Sequence, residues 1–379
     1  MSAIADAVEA TAGNAREADA DAEFPVKALS ALRTSGLLGL VAPVEYGGEG
    51  GGFGEVVDAT IALSREDMSV GMIFAMHCQQ AMALAQYASP RLRAELLPAL
   101  VRGELYLASV TTETGTGGGL LTSESTVTAG DGLLNIDREA PIVTGGPHAD
   151  GFLITTLAPD ATAANQVSLV YAARDQLTLE VTGGWNPLGM RATHSVPMRL
   201  TGAVPADQLI GKPGDFRTIV AQLFGPAAHI GWSAAWLGTT AGALSRVLHL
   251  IRSKSGRRSF DPSSELLLTR LARIRARIDA VNALLRHTVS AVDSASDRSA
   301  APVQLLVNTL KTQAAEQCFT AINELVELVG LRHGYLRDSP LFLERALRDL
   351  RSASLNYANE RLYLVNGALA LLDQEVRLD

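Results

Sequence analysis

Three side chains that can move a proton lie in two separate parts of the chain. Tyr357 and Glu360 belong to the stretch SLNYANE near the C-terminus, and His229 belongs to the apolar stretch FGPAAHIGWSAAWLG. In a site that excludes water, a carboxylate is a strong enough base to remove a proton next to a carbonyl group. A histidine exchanges protons near neutral pH, although a single histidine in an apolar helix is more often packed than catalytic. A tyrosine phenol ionises only near about pH 10, so it serves better as a hydrogen-bond donor than as a base.

The composition limits the class of protein. The chain has 379 residues, of which 47% are hydrophobic and 19% are charged. These values are typical of a globular chain that is long enough for two or three packed units around a large core. The net charge of −8 argues against a nucleic-acid partner. We interpret the arginine-rich run from Arg270 to Arg277 as a solvated helix face or a subunit contact.

The compartment is also predicted from sequence. The N-terminal stretch is rich in alanine and acidic residues, and it lacks the basic and apolar regions of a signal peptide. No apolar run reaches the length of a membrane span. The two cysteines, Cys78 and Cys318, lie in apolar helical sequence, which favours buried thiols in a reducing compartment. We therefore expect a cytoplasmic protein with no membrane partner and no metal site.

The periodicity of apolar residues changes twice along the chain. Residues 1–104 have a helical period, residues 105–214 contain short runs that alternate like strands, and residues 215–379 return to the helical period. We predict one domain for each range, with a compact barrel or sandwich in the middle. A stripe typical of a helix in a bundle runs through the third range. Its members are Leu267, Leu271, Ile274, Ile278, Val281 and Leu285.

Five motifs together resemble the ordered landmarks of one family. They are LRTSGLLGLVAPVEYGGEG, ASVTTETGTGGG, WNPLGMRATHS, VPADQLIG and GYLRDSPLFLERALRDLR. In this order they resemble the acyl-CoA dehydrogenase superfamily, from about Phe24 to Leu372. The resemblance implies a multi-domain α+β fold with an N-terminal all-helical domain, a central antiparallel β-barrel and a C-terminal four-helix bundle. It also implies bound FAD, an acyl thioester substrate carried by CoA or by an acyl carrier protein, and a homo-oligomer, either a tetramer or a dimer.

The resemblance also assigns residues to the cofactor. They are Thr111, Thr112, Gly117, Gly118, Val143, Thr144, Arg257, Phe260, Glu327 and Gly330. The glycine-rich loop that contains Thr112, Glu113 and Gly115 resembles the loop at the pyrimidine edge of the flavin, where a hydroxyl group and backbone amides can supply donors and acceptors. Thr144 keeps the hydroxyl of the segment that faces the ring and its N5 atom, and Ile142 replaces the tryptophan of that segment.

Two more stretches resemble the segments with which members of the family hold the pyrophosphate and the adenosine of FAD. Arg257 and Phe260 match a turn that reaches the cofactor of a neighbouring subunit, where the guanidinium suits the pyrophosphate and the ring lies against the adenosine. Asp261 stands where glycine is usual. Glu327 and Gly330 match a segment in which glutamine is usual. A carboxylate at Glu327 would repel the pyrophosphate, and the spacing after Gly330 resembles the flavin monooxygenase branch of the superfamily.

The catalytic glutamate of the family is missing. In the dehydrogenases, this glutamate removes the proton α to the thioester carbonyl while the flavin accepts a hydride. The resemblance puts Tyr357 at its place, and it puts Ala228 at the alternative place on an earlier helix. Glu360 is three positions beyond Tyr357 and would share nearly the same face if both were helical. The residues able to act in proton transfer are therefore Tyr357, Glu360 and His229.

Three functions remain open from sequence. The first is FAD-dependent dehydrogenation of an acyl thioester in specialised metabolism, with the usual glutamate replaced. The second is a flavin-dependent monooxygenase of the same fold, which needs no base for the α proton. The third is a flavin-binding or degenerate subunit that assembles with an active partner. The sequence slightly favours the first function, because Arg257 and Phe260 suit a tightly held, complete FAD.

Overall fold

The structure of the protein is a computed structural model, and it describes residues 3–115 and 119–372. Its first part is helical and consists of α1 (Ala3–Asp21), α2 (Val26–Thr34), α3 (Phe53–Ser64), α4 (Met68–Tyr87) and α5 (Pro90–Val101). Asp67 begins α4 by accepting a hydrogen bond of 2.7 Å from the backbone N–H of Ser69. Pro90 occupies the start of α5, as its sequence context predicts, because the first turn of a helix does not need its N–H.

The middle of the chain forms two four-stranded sheets. The strands are β1 (Leu107–Val110), β2 (Thr128–Gly130), β3 (Leu133–Thr144), β4 (Gly151–Leu157), β5 (Val167–Ala173), β6 (Leu177–Val181), β7 (Ser195–Pro205) and β8 (Leu209–Ile210). The first sheet has the order β1-β4-β5-β8, and the second has the order β2-β3-β7-β6. The family resemblance implies a central antiparallel β-barrel, whereas the described strands form two separate sheets and β1 pairs in parallel with β4. The two strands run the same way because the chain passes through the second sheet between them.

The pairing of β3 with β7 sets the positions of Thr144 and Ser195. Side chains along β3 alternate between exposed and buried, so the strand covers the core with one face. The antiparallel register is interrupted between Ala140 and Val143, and it then resumes with Thr144 opposite Ser195. An irregularity of this kind re-aims the side chains that follow it.

The last part of the chain is a helical bundle. Its helices are α6 (Phe216–Ile219), α7 (Gly225–Arg252), α8 (Glu265–Ser294), α9 (Ala301–Gly330), α10 (Leu343–Leu350) and α11 (Asn359–Ala370). The predicted apolar stripe of α8 is confirmed, since its members are buried or half-buried against the core. Gly238 lets α7 lie close to α3, because a Cβ there would be 2.6 Å from the carbonyl oxygen of Ile61.

A π-helical segment, Val220–Phe224, joins α6 to α7. Segments of this kind are frequent at functional sites, and they disturb the regular backbone hydrogen bonds. The carbonyl of Phe224 accepts a hydrogen bond of 2.7 Å from Nε2 of Gln79, which lies on α4. This bond ties the start of α7 to the N-terminal helices.

The predicted burial of both thiols is confirmed, because Cys78 and Cys318 are free and buried. No helix of the described part of the chain is long and apolar enough to cross a membrane. Within the same residues, no group of three or more His, Cys, Asp and Glu side chains is placed to hold a metal ion.

Candidate functional site

Tyr357 lies in a turn of the chain, residues 351–358, that connects α10 to α11. Its backbone is left-handed, with a φ of 48°, which is uncommon for a residue with a large side chain. The ring is half-buried and lies 6.0 Å from the ring of His229, measured between centroids. The turn therefore brings together two of the three residues that the sequence proposes for proton transfer.

A buried lysine, which sequence analysis missed, holds this turn. Lys311 on α9 is fully buried, and its Nζ donates hydrogen bonds to the carbonyl oxygens of Ala353 at 3.2 Å and Tyr357 at 3.1 Å. A third bond of 2.7 Å goes to Oδ1 of Asn359, the first residue of α11. The three protons of the ammonium group are thus all used. Burial lowers the pKa of Lys311 to about 8, and the nearby carboxylate of Glu316 acts in the opposite direction.

His229 is a neutral, buried imidazole. It is 7% exposed, and its Nδ1 has no hydrogen-bond partner among the described residues. Burial lowers the pKa of His229 to about 3, with a further contribution from the positive charge of Lys311. The rings that lie near it are those of Trp232, at 5.8 Å, and Tyr357. With this pKa the imidazole is a weak base at neutral pH.

Glu360 does not share a helical face with Tyr357. It is exposed in the first turn of α11, whereas Tyr357 precedes the helix in a left-handed conformation. The two residues would share nearly the same face only if both were helical, and this condition is not met, because the helix begins between them, at Asn359. Among the described residues, no hydrogen bond or ring contact joins Glu360 to Tyr357 or His229.

The loop after β1 is held from the inside by an ion pair. Glu113 is buried against Arg138 of β3, and it also accepts a hydrogen bond of 2.6 Å from the hydroxyl of Ser123. Burial alone would raise the pKa of Glu113, but the hydrogen bonds and the Arg138 guanidinium lower it below its usual value. Arg138 also donates to the carbonyl oxygen of Thr112 at 2.9 Å. Glu113 therefore supports the loop from below, and its carboxylate is not free for a ligand.

The outer side of this loop meets the end of β3. The Thr112 hydroxyl donates to the carbonyl oxygen of Ile142 at 3.0 Å, and the Ile142 side chain is 47% exposed. The hydroxyl of Thr111 lies 3.4 Å from that of Ser109. The Val143 side chain is fully buried, so any contact of this residue with a ligand would come from its backbone. Gly117 and Gly118, which the resemblance also assigns to the cofactor, lie outside the described residues.

Thr144 is part of a row of hydroxyl groups. Its Oγ1 lies 2.9 Å from Oγ of Ser195, which lies 2.8 Å from Oγ1 of Thr193. Thr193 donates to the carbonyl oxygen of Met190 at 2.8 Å. Ser195 and Thr193 belong to the motif WNPLGMRATHS, so the motif signalled the region, but sequence reasoning did not assign these two hydroxyls.

The loop that carries this row is anchored to the bundle. The backbone N–H of Met190 donates to Oδ1 of Asp349 on α10 at 2.7 Å, and Met190 is left-handed with a φ of 53°. Burial raises the pKa of Asp349 to about 7, the neighbouring carboxylate of Asp67 adds to this, and the Arg345 guanidinium opposes it. The strands of the second sheet and the helix before Tyr357 are thus joined through one buried carboxylate.

Comparisons with known proteins identify the family of this chain. The family model for the N-terminal domain of acyl-CoA dehydrogenase matches residues 2–104, and the model for the C-terminal domain matches residues 230–359. The chain belongs to the acyl-CoA dehydrogenase superfamily. A similar curated protein is the probable acyl-CoA dehydrogenase FadE25 of Mycobacterium tuberculosis, which is 26% identical over 366 residues, 95% of this chain and 91% of that protein.

Solved structures of this superfamily share the fold. The FMN-bound structure of TdsC, a dibenzothiophene monooxygenase from Paenibacillus sp. A11-2, superposes with a TM-score of 0.87 at 23% identity, and it covers 98% of both chains. Butyryl-CoA dehydrogenase from Megasphaera elsdenii superposes with a TM-score of 0.83 at 19% identity, over 98% of this chain and 99% of that one. The predicted order of an N-terminal helical part, central sheets and a C-terminal helical part is therefore confirmed as an acyl-CoA dehydrogenase fold.

The remaining candidate residues of this acyl-CoA dehydrogenase homologue are Arg257, Phe260, Glu327 and Gly330. Arg257 is exposed in the turn Gly256–Arg258, and its guanidinium has no hydrogen bond or ion pair within the described part of the chain. Phe260 is half-buried and packs on the core. Glu327 is exposed and accepts a hydrogen bond of 2.9 Å from Asn323, and Gly330 ends α9 with a φ of 70°. Among the described residues, no hydrogen bond or ring contact links these four to Tyr357 or Thr144.

Proposed function

We propose that this chain is a flavin-dependent oxidoreductase that binds FAD against the loop after β1 and the end of β3. The exposed apolar side chain of Ile142 lies between the hydroxyl-bearing residues Thr112 and Thr144. A flat heterocycle with apolar faces and polar edges fits such a surface. Ion pairing to Arg138 keeps the Glu113 carboxylate turned away from the loop surface, so it would not repel an electron-rich ring edge.

The residues near Tyr357 favour an oxygen-dependent reaction. The observation that carries this proposal is the pair of rings formed by Tyr357 and His229. The family resemblance implies that Tyr357 replaces the catalytic glutamate, while its ring neighbour His229 is a weak base and Glu360 is exposed. Removal of a proton α to a thioester carbonyl therefore lacks the general base that typically contributes about 10²- to 10⁴-fold to the rate.

We therefore favour a monooxygenase over a dehydrogenase. A reduced flavin supplies two electrons to dioxygen, so that one oxygen atom enters the substrate and the other leaves as water. This reaction needs a source of reduced flavin, which we assign to a separate flavin reductase. In the site itself, the Tyr357 hydroxyl can donate a hydrogen bond to a substrate carbonyl, and the buried His229 ring, which has the half-buried Trp232 ring beside it, shields that side of Tyr357 from water.

A second candidate is a slow acyl-thioester dehydrogenase, with its substrate on CoA or on a carrier protein. Its support is the similarity to FadE25 over nearly the whole chain, together with an exposed, unpaired Arg257 that suits the pyrophosphate of FAD. In this case the Tyr357 hydroxyl would bind the thioester carbonyl, the flavin would accept the β hydride, and the α proton would pass to water instead of to a carboxylate. Such a role would fit a specialised pathway that tolerates a slow enzyme.

One set of measurements separates these functions. The purified protein is first tested for a bound flavin by release and mass measurement. It is then mixed without oxygen with butyryl-, hexanoyl- and octanoyl-CoA, and bleaching of the oxidised flavin is followed. Finally, reduced flavin and ¹⁸O₂ are supplied with the same thioesters and with indole, and products are analysed for the label.

We expect FAD, little anaerobic bleaching and ¹⁸O in a product. Rapid anaerobic bleaching would overturn the monooxygenase proposal in favour of the dehydrogenase. A protein that takes up no flavin under any condition would support the degenerate subunit instead.

A further inference from the structure

The direction of the hydrogen bonds in the hydroxyl row is fixed by the carbonyl oxygen of Met190, which lies at its inner end. The row joins Thr144, Ser195 and Thr193 to the carbonyl oxygen of Met190 through three O···O contacts of 2.9, 2.8 and 2.8 Å. A carbonyl oxygen can only accept, so the Thr193 hydroxyl must donate to Met190. Its proton is then unavailable to Ser195.

Counting protons settles the other two contacts. Three hydroxyl groups supply three protons to three contacts. Since the Thr193 proton is used, the contact between Ser195 and Thr193 needs the Ser195 proton. The contact between Thr144 and Ser195 then needs the Thr144 proton. In this arrangement the hydroxyl of Thr144 points inward and leaves only its lone pairs for a ligand.

The surroundings keep this arrangement in place. Thr193 is 2% exposed and Ser195 is 4% exposed, so water has little access to the inner contacts. The Met190 carbonyl also accepts the backbone N–H of Thr193 at 3.1 Å, and the N–H of Met190 is held by Asp349. Reversing the row would place the oxygens of Thr193 and Met190 2.8 Å apart with no proton between them, so that their lone pairs would repel each other.

We infer that Ser195 and Thr193 are positioning residues that make Thr144 an obligate hydrogen-bond acceptor for an N–H group of the bound flavin. This inference rests on the proposed function. A flavin carries a proton on N3 in both redox states but carries one on N5 only when it is reduced. With Thr144 opposite N5, as the family resemblance implies, the acceptor favours binding of reduced flavin, the form that an oxygen-dependent reaction uses.

The test compares binding of oxidised and reduced FAD by the same apoprotein. Ser195→Ala and Thr193→Val each break the row, so the Thr144 hydroxyl can turn and donate outward. We expect the ratio of the two dissociation constants, oxidised over reduced, to fall by about threefold to tenfold, the size of one hydrogen bond. The ratio follows from separate anaerobic titrations, and the midpoint potential of the bound flavin gives an independent value.

Two controls distinguish orientation from simple loss of structure. Thr193→Ser keeps the hydroxyl and should keep the wild-type ratio. In a Thr144→Val background, where the acceptor is already gone, Ser195→Ala should no longer change the ratio. If Ser195→Ala and Thr193→Val still bind FAD and keep the wild-type ratio, this inference is overturned but the proposed function is not. Failure of the wild-type protein to bind any flavin would overturn the proposed function and this inference with it.

Discussion

The phenol ring of Tyr357 lies against the imidazole of His229, with centroids 6.0 Å apart and planes tilted by 48°. Tyr357 reaches this position from a left-handed turn, and the family resemblance implies that it replaces the catalytic glutamate of the dehydrogenases. Since His229 is buried and its pKa is about 3, neither member of the pair can act as a strong base at neutral pH. The pair therefore accounts for the proposed preference for a reaction without α-proton removal.

Tyr357→Glu should introduce the missing base. We expect anaerobic flavin reduction by saturated acyl-CoAs to rise by at least about tenfold over the wild type, because a positioned carboxylate typically contributes about 10²- to 10⁴-fold. The measurement is the bleaching rate of the oxidised flavin in a stopped-flow instrument. Tyr357→Phe, which removes only the hydroxyl, should stay as slow as the wild type.

Glu360→Gln provides the matched control for this experiment. Because Glu360 is exposed at the start of α11, its substitution should leave the bleaching rate within about twofold of the wild type. Rapid bleaching by the wild-type protein that disappears in Glu360→Gln would show that Glu360 is the base and that Tyr357 was wrongly placed opposite the substrate.

Lys311→Met should loosen the turn that presents Tyr357. The substitution keeps much of the side-chain length but leaves two buried carbonyl oxygens and the Asn359 amide oxygen without their donor. An unsatisfied buried group costs about 1–3 kcal/mol, partly offset here by removal of a buried charge. We expect a loss of about 1–3 kcal/mol in the free energy of unfolding, measured in urea, and faster proteolysis within residues 351–358.

Lys254→Met is the control, since Lys254 is exposed and lies beyond the end of α7. It should change neither the free energy of unfolding nor the proteolysis pattern. Equal behaviour of the two variants would contradict the role of Lys311 as the clamp of this turn.

Asp349→Asn should change how stability depends on pH. Burial raises the pKa of Asp349 from its usual value of 3.8 to about 7, so the folded protein holds this proton over a pH range in which the unfolded chain has lost it. The stabilisation is present below about pH 4 and is lost as the pH rises to about 7. An asparagine does not ionise, and its Oδ1 can still accept the N–H of Met190.

The measurement is the difference in the free energy of unfolding between Asp349→Asn and the wild type, from urea titrations at pH 4.5 and pH 8. We expect the difference to move in favour of the variant by about 1–4 kcal/mol between these two values. The buried His77 and His229 titrate in both proteins, so their contributions cancel. A difference that stays constant with pH would show that Asp349 is already ionised throughout this range.

The sequence predicted features that depend on local pattern. The helical stripe of α8 and the burial of both cysteines follow from residue spacing and local propensity, and both are confirmed. The absence of a carboxylate at the place of Tyr357 also came from a local alignment of motifs. These features need no knowledge of contacts between distant parts of the chain.

Features that depend on contacts between residues far apart in the chain were not predicted from the sequence. Lys311 looks like a solvated lysine of a long helix, and it becomes buried only because the turn that follows α10 packs over it. Thr144 and Ser195 meet because β3 and β7 pair in one particular register, and local sequence does not determine that register. The parallel pairing of β1 with β4 likewise depends on the path of the chain through a second sheet.

Arg257→Ala should weaken the binding of FAD without affecting the fold. The Arg257 side chain is exposed and has no partner within the described part of this chain, so its loss should leave the thermal midpoint unchanged. We propose that the guanidinium meets the pyrophosphate of FAD in a neighbouring subunit of a homo-oligomer. A charge-assisted contact of this kind is worth about 1.5–3 kcal/mol, so the dissociation constant for FAD should rise by about 10- to 150-fold.

Arg258→Ala, an equally exposed neighbour, is the matched control, and FMN is the matched ligand. FMN lacks the adenosine and the phosphate next to it, so if Arg257 contacts that phosphate, the affinity for FMN should be the same in Arg257→Ala, Arg258→Ala and the wild type. Light scattering at micromolar concentration measures the assembly, which we expect to be a tetramer or a dimer. A monomer that binds FAD as tightly after Arg257→Ala as before would contradict both the cross-subunit contact and the assembly, and FAD would then be held within one chain.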